Sequence, residues 1–168
     1  MNKNLSYRQG SISDLKQINR LAITSYEQYS NVLTPDDWQK LNGFLNDEKT
    51  FTDLIGMAYS FLCVDDSTVV GMAFLIPSGN PTEIFPEDFC YIRMVGVHPA
   101  YNGLGIAKRL TSICIDQAKS LNEKTIALHT SEFMNAARHI YENIGFTVLK
   151  EITPRMGKRH WLYKLDIS

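Results

Sequence analysis

No apolar run in this chain approaches the ~18 residues that a membrane-spanning helix requires, and neither sign of charge dominates. Its 17 Lys and Arg face 18 Asp and Glu, for a net charge of −1. That balance leaves no electrostatic footprint for nucleic acid or an anionic membrane surface. Cysteine is scarce: Cys63, Cys90 and Cys114 are the three in 168 residues. They lack metal-ligand or redox-pair spacing, and each lies inside an apolar stretch. They read as small buried hydrophobes in a reducing cytoplasm, and no metal site is expected. The segment Met1 to Gly10 is polar and lacks the apolar core of a signal peptide. No repeat, low-complexity tract or linker interrupts the chain, so residues 1–168 are read as one domain. An apolar fraction of 44% suffices for a core of that size.

The periodicities that are present alternate between strand and helix. Leu5 to Gln9 reads as a first strand. Ser11-Ile12-Ser13-Asp14 resembles a capping box opening a helix with Leu15, Ile18, Ala22, Tyr26 and Tyr29 on one face. Thr34 and Pro35 open a second helix carrying Trp38, Leu41 and Leu45, and a further helical turn or two runs from Phe51 to Ala58. Tyr59 to Val64 and Val69 to Ile76 form a hairpin around Asp65-Asp66-Ser67-Thr68. Pro77 to Glu87 is a loop, and Asp88 to Val97 is a strand. Ile106 to Leu121 is a helix with Ile106, Leu110, Ile113, Cys114, Ala118 and Leu121 on one face. Thr125 to His129 is the next strand, and a short helix then ends at Asn143 before Gly145, a C-cap glycine. Phe146 to Ile152 and His160 to Leu165 close the chain as two antiparallel strands. The order β-α-α-β-β-β-α-β-α-β-β implies an α+β (mixed α/β) domain: one sheet with helices on its faces.

The most informative stretch is Val95-Gly96-Val97-His98-Pro99-Ala100-Tyr101-Asn102-Gly103-Leu104-Gly105-Ile106-Ala107. A strand ends, proline stops it, and two glycines open a helix. Such a loop brings free amides and the positive end of a helix dipole against an anion. A nucleotide P-loop is excluded, since no glycine is followed after four residues by Gly-Lys-Ser/Thr. A dinucleotide fold is excluded too: Lys108 fills the third glycine slot, and the next strand ends at His129 and Thr130 rather than at an acid.

The run Val97 to Ala107 resembles the acyl-CoA binding motif of the GCN5-related N-acetyltransferase (GNAT) family. Asn135-Ala136-Ala137-Arg138-His139-Ile140-Tyr141-Glu142-Asn143-Ile144-Gly145-Phe146 is similar to that family's second signature, in the correct order and at the correct spacing. The resemblance is specific from about Tyr91 to Phe146. It implies a mostly antiparallel central sheet flanked by helices, and acetyl transfer from acetyl-CoA to a small-molecule or peptide amine. It implies that backbone groups of Val95, Gly96 and Val97 pair with the pantetheine arm, and that amides of Asn102, Gly103, Leu104, Gly105, Ile106, Ala107 and Lys108 take the pyrophosphate. Asn135 would contact pantetheine or phosphate, or cap its helix. Neither nucleic acid nor membrane is an expected partner, and a homodimer is left open. Two positions depart from the pattern. Asn102 replaces a longer Arg or Gln, and Tyr91 stands where many relatives carry a glutamate that serves as base.

Tyr141 is the candidate general acid, because a phenol with a reference pKa of ~10 stays protonated at neutral pH and can donate to a leaving thiolate. It also sits on the stripe Phe133, Ala137, Ile140, Tyr141 and Ile144, where an aromatic is usually core. His129, at a strand end, is a base or a satisfied buried histidine. His98 reads as a solvated loop residue, and Ser131 and Glu132 as helix-start residues. Arg155, Lys158, Arg159 and His160 surround Gly157 at a hairpin tip. Glu83, Glu87 and Asp88 form an acidic loop, read either as solvated or as an attraction for a cationic acceptor. The rival reading of the whole chain is a non-catalytic acyl-CoA binding module of the same fold.

Overall fold

A computed structural model describes residues 2–168. Seven strands form one sheet in the order β1-β2-β3-β4-β5-β7-β6. The strands are β1 (Leu5–Gln9), β2 (Tyr59–Asp65), β3 (Thr68–Ile76), β4 (Cys90–Val97), β5 (Thr125–Ser131), β6 (Thr147–Arg155) and β7 (Lys158–Asp166). Every neighbouring pair is antiparallel except β4 and β5, which run parallel. Helices α1 (Leu15–Tyr26), α2 (Pro35–Asn46) and α3 (Glu48–Met57) precede β2, α4 (Ile106–Ser120) follows β4, and α5 (Asn135–Ile144) follows β5. The mixed α/β arrangement expected from the element order and the mostly antiparallel sheet implied by the family resemblance are both observed.

Local chemistry explains where the elements start. The Asp14 carboxylate accepts from the Ser11 amide at 2.9 Å and from the Arg8 guanidinium at 2.8 and 3.0 Å, which anchors the turn before α1 to β1. Thr34 caps α2 by accepting from the Asp37 amide at 3.1 Å. The third helix starts earlier than its apolar pattern indicates. Asp47 caps it, accepting from the Lys49 amide at 3.0 Å, so the helix is full length rather than a turn or two. Tyr29 does not continue α1: the chain tightens into a 3-10 turn over Glu27–Asn31, where the Gln28 side chain takes the Ser25 carbonyl at 2.7 Å.

Two apolar clusters sandwich the sheet. One joins Ile18 and Leu21 of α1, Leu45 of α2 and Phe51 of α3 to Phe74, Ile76 and Tyr91. The other joins Ile106 and Leu110 of α4 and Tyr141 of α5 to Cys63, Cys90 and Tyr163. On α4 the buried face contains Ile115, while Ile113 is only partly buried. A Cβ on Gly71 would stand 2.6 Å from Ile106 Cγ2, so β3 needs a bare residue there for the start of α4 to lie on it. The three cysteines are buried free thiols, and no helix among the described residues is long and apolar enough to cross a membrane.

Candidate functional site

The two parallel strands part early. The pairing of β4 with β5 consists of Cys90↔Ile126 and Tyr91↔Ala127, yet β4 continues to Val97 and β5 to Ser131. On its other side β4 stays bound to β3, through Gly96↔Met72 and Val97↔Gly71. A break in register between Met72 and Phe74 accompanies Met94 at φ 55°. This bulge bends β4 as it leaves β5 and holds a non-glycine residue in a left-handed conformation. The edge of β4 over Val95, Gly96 and Val97 therefore borders a cleft rather than a strand. Gly96 is pressed from the far side: a Cβ there would sit 2.8 Å from Ser25 Oγ on α1 and 3.0 Å from Met72 Cε.

β4 leads directly into the glycine loop. His98 caps a short 3-10 turn over Pro99–Tyr101 through its ring, with Nδ1 accepting from the Ala100 amide at 3.1 Å. It is thus a built part of the loop, not a merely solvated residue. The Asn102 amide already donates to the Pro99 carbonyl at 3.2 Å, so Asn102 offers its exposed side chain and not its backbone. From Gly103 onward the amides are open. Gly103 and Gly105 hold φ 79° and 76°, with nothing within 4 Å of a Cβ on either. Glycine is demanded here by backbone conformation and not by space. Gly105 is the N-cap of α4. No hydrogen bond within the described residues uses the amides of Gly103, Leu104, Gly105, Ile106, Ala107 or Lys108. Six free donors at the positive end of a 15-residue helix make an anion cradle.

Tyr141 stands on α5 in the same cluster as Val95 and Val97. Its ring is 6% exposed and packs edge-on against Phe146 at 6.0 Å, while its hydroxyl has no hydrogen-bond partner among the described residues. Burial, reinforced by Tyr26 and Tyr29, pushes its pKa further above the ordinary 10. The phenol keeps its proton at any physiological pH. Asn135 does not cap α5: Met134 holds the cap position without a side-chain bond, and Asn135 lies exposed in the first turn.

The opposite wall is aromatic. Tyr29 meets Tyr26 at 5.9 Å and Phe133 at 4.9 Å. Phe133 meets His160 at 6.4 Å, and His160 meets His129 at 5.9 Å. Phe85 from the loop between β3 and β4 lies 6.1 Å from His129 and stacks on Tyr91 at 4.0 Å. Tyr91 is core: it is 2% exposed and donates its hydroxyl proton to the Asn80 carbonyl at 2.9 Å. His129 is not the satisfied histidine of the sequence reading, because its Nδ1 is buried without a partner. Burial first, then the charge of Arg155, the neighbouring ring of His160 and the charge of Arg93, press its pKa down to about 3. The ring is therefore neutral and a weak base. Ser131 and Glu132 do not start α5. Ser131 is buried in β5 and donates to the Arg159 carbonyl at 2.9 Å, and the Glu132 carboxylate accepts from the Arg159 amide at 3.2 Å. Both tie β5 to the hairpin tip. The acidic loop is partly neutralised, since Glu83 pairs with Arg155 at 3.0 Å. Arg93, half-buried on β4, was missed from the sequence, although it is the single charge in an otherwise apolar strand. No group of three or more His, Cys, Asp or Glu among the described residues could hold a metal ion.

A family model for the acetyltransferase (GNAT) family matches residues 16–146. An uncharacterized N-acetyltransferase of Escherichia coli, YjgM, is 34% identical over 60 residues, which is 36% of this chain and 36% of that protein. N-alpha-acetyltransferase 30 of Saccharomyces cerevisiae is 39% identical over 62 residues, 37% of this chain and 35% of that protein. The matched stretch thus spans about a third of either curated relative. The crystal structure of a PaiA N-acetyltransferase from Thermoplasma acidophilum in complex with coenzyme A superposes with a TM-score of 0.79. It covers 97% of this chain and 99% of its own at 14% identity, a likeness of fold.

Proposed function

The chain belongs to the GNAT acetyltransferase family, and from that premise we propose that it moves an acetyl group from acetyl-CoA directly to an amine. One observation carries the reading. The β4–β5 pairing ends after Tyr91↔Ala127, and the strand edge so released leads straight into six free amides at the start of α4. This is a continuous backbone track for an extended polar arm ending in phosphates. The solved neighbour that holds coenzyme A supports that ligand.

Acetyl-CoA supplies a thioester carbon open to attack. Val95, Gly96 and Val97 hold the arm by strand-like pairing, and an amide at this edge faces charge that builds on the thioester oxygen. The amides of Gly103 to Lys108, helped by Asn102 and Asn135 side chains, hold the diphosphate. Fixing both reactants side by side removes much of the entropic cost of a bimolecular step. Tyr141, protonated and without a competing partner, gives its proton to the sulfur as the thiolate leaves. The acceptor is a small-molecule or peptide amine, and the balanced charge of the chain favours neither nucleic acid nor membrane. Three buried free thiols suit the cytoplasm.

The position of Tyr91 favours the second reading, a binding module without turnover, because no carboxylate stands there to act as base. Thiol release from acetyl-CoA with a pooled amine panel separates the two. Release supports the transferase. A thermal shift with acetyl-CoA but no release with any amine leaves the module.

A further inference from the structure

Arg93 and His129 occupy equivalent places on the two diverging strands. Tyr91↔Ala127 is the last parallel pair, and each residue lies two positions beyond it. By strand alternation both point to the sheet face of Tyr91 and Ala127, the face covered by α1, α2 and α3. The register confirms the side for each. Arg93 pairs with Phe74 and His129 with Leu162, and both partners belong to that cluster. The glycine loop and α4 belong to the other face, so Arg93 is not placed to serve the diphosphate.

Neither group is satisfied. Five ion pairs form among the described residues, and none includes Arg93; no hydrogen bond engages its guanidinium either. His129 Nδ1 is buried without a partner. Two carboxylates near this wall are already engaged by arginines, Glu83 by Arg155 at 3.0 Å and Glu151 by Arg159 at 2.7 Å, and Glu132 accepts from the Arg159 amide at 3.2 Å. Arg155 and Arg93 both act to lower the His129 pKa, after burial as the larger cause, so cationic charge adjoins the cleft. A half-buried guanidinium without a counter-ion in the protein is free to receive one from a ligand, and its planar fork matches a carboxylate.

We propose that the acceptor is an amine that also carries a free carboxylate, an amino acid or a similar amino-carboxylate, and that Arg93 binds this carboxylate. The site rests on the acetyltransferase reading for the role of the amine, but carboxylate binding is separate from turnover. Cationic charge beside the cleft suits the chemistry as well. It disfavours the ammonium form, so the amine enters closer to its nucleophilic neutral state without a glutamate at position 91. A cationic acceptor, suggested by the acidic loop alone, meets the wrong field here.

Calorimetric titration of the CoA-saturated protein with a set of free amino acids, their carboxamides and polyamines reads binding without requiring turnover. At least one free amino acid is expected to bind about 10- to 100-fold more tightly than its own carboxamide, the range for a hydrogen bond to a charged group. Arg93→Gln should erase that difference, Arg93→Lys should restore part of it, and CoA affinity should stay unchanged in both. In turnover, Arg93→Gln should raise the acceptor KM for the amino acid and leave the carboxamide unaffected. Equal binding of acid and amide, tighter binding of polyamines, no binding of any free amino acid, or an equal loss for acid and amide in Arg93→Gln overturns the proposal. Selective amino-acid binding without thiol release would uphold the carboxylate site and sink the acetyltransferase reading instead.

Discussion

The two walls of the cleft are built by different means. The wall from Val95 to Lys108 is backbone: a released strand edge, two glycines at φ 79° and 76°, and amides with no partner. The facing wall is side chain, assembled from the end of α1 and its 3-10 turn, the loop before β4, the strands β4 and β5, and the β6–β7 hairpin. A backbone wall offers amides and carbonyls whatever the side chains are, so few residue identities matter and those that do are contiguous. A side-chain wall takes its chemistry from residue identity. It is made of residues more than a hundred positions apart, Tyr26 and His160 among them.

The largest expected effect attacks the backbone wall. Gly105→Val forces a β-branched residue into a left-handed conformation. With open space around it, the variant should fold but lose the rise in melting temperature that acetyl-CoA produces by mass action. An unchanged shift would take the loop out of the site. Tyr141→Phe comes next. It keeps the ring and its packing on Phe146, and turnover should fall roughly 10- to 1000-fold with acetyl-CoA affinity little changed. Full activity would reduce Tyr141 to a core residue.

Gly96→Ala joins the two walls, because its Cβ would press on Ser25 and Met72 between β4 and α1. A loss of about 1–3 kcal/mol in urea unfolding is expected, partly recovered by Ser25→Gly. If the double variant is no better than the single, the contact is not the cause. The smallest effect at neutral pH belongs to the side-chain wall and is a pH dependence that grows on acidification. His129 has a folded pKa of about 3 against an ordinary 6.5. Above 6.5 it is neutral in both states. As pH falls from 6.5 toward 3, the unfolded chain takes a proton that the folded one refuses, so stability drops. The slope from this one group is at most about 1.4 kcal/mol per pH unit. His129→Gln should flatten stability between pH 6.5 and 4, and an identical slope in both proteins would show that the imidazole is not held neutral.

The same contrast explains what could be read in advance. The turn of the glycine loop, α4, the helix that carries Tyr141 and its Gly145 cap are local patterns in which neighbouring residues act together, and as structure they were legible. Asn102 was only half so, since its amide is spent on Pro99, a bond that depends on the exact turn. Ser131 and Glu132 look like helix-start residues in sequence but serve a neighbouring hairpin in space. Asp47 is an ordinary cap that the apolar pattern of Phe51 to Ala58 did not include. The aromatic wall escaped because Tyr26, Tyr29, Phe85, Phe133 and His160 each fit a local core or loop reading.

Periodicity, capping residues and two contiguous motifs determined the element order, the glycine loop that opens α4 and the place of Tyr141 on α5, because helix, strand and turn preferences act over a few residues. Only the tertiary structure decided that β4 parts from β5 after Tyr91 and that Arg93 stands on the parting strand without a counter-ion. It also decided that the acidic loop is met by Arg155. Those outcomes depend on which distant side chains share a sheet face, and a pairing register or a burial cost exists only once the chain has closed on itself.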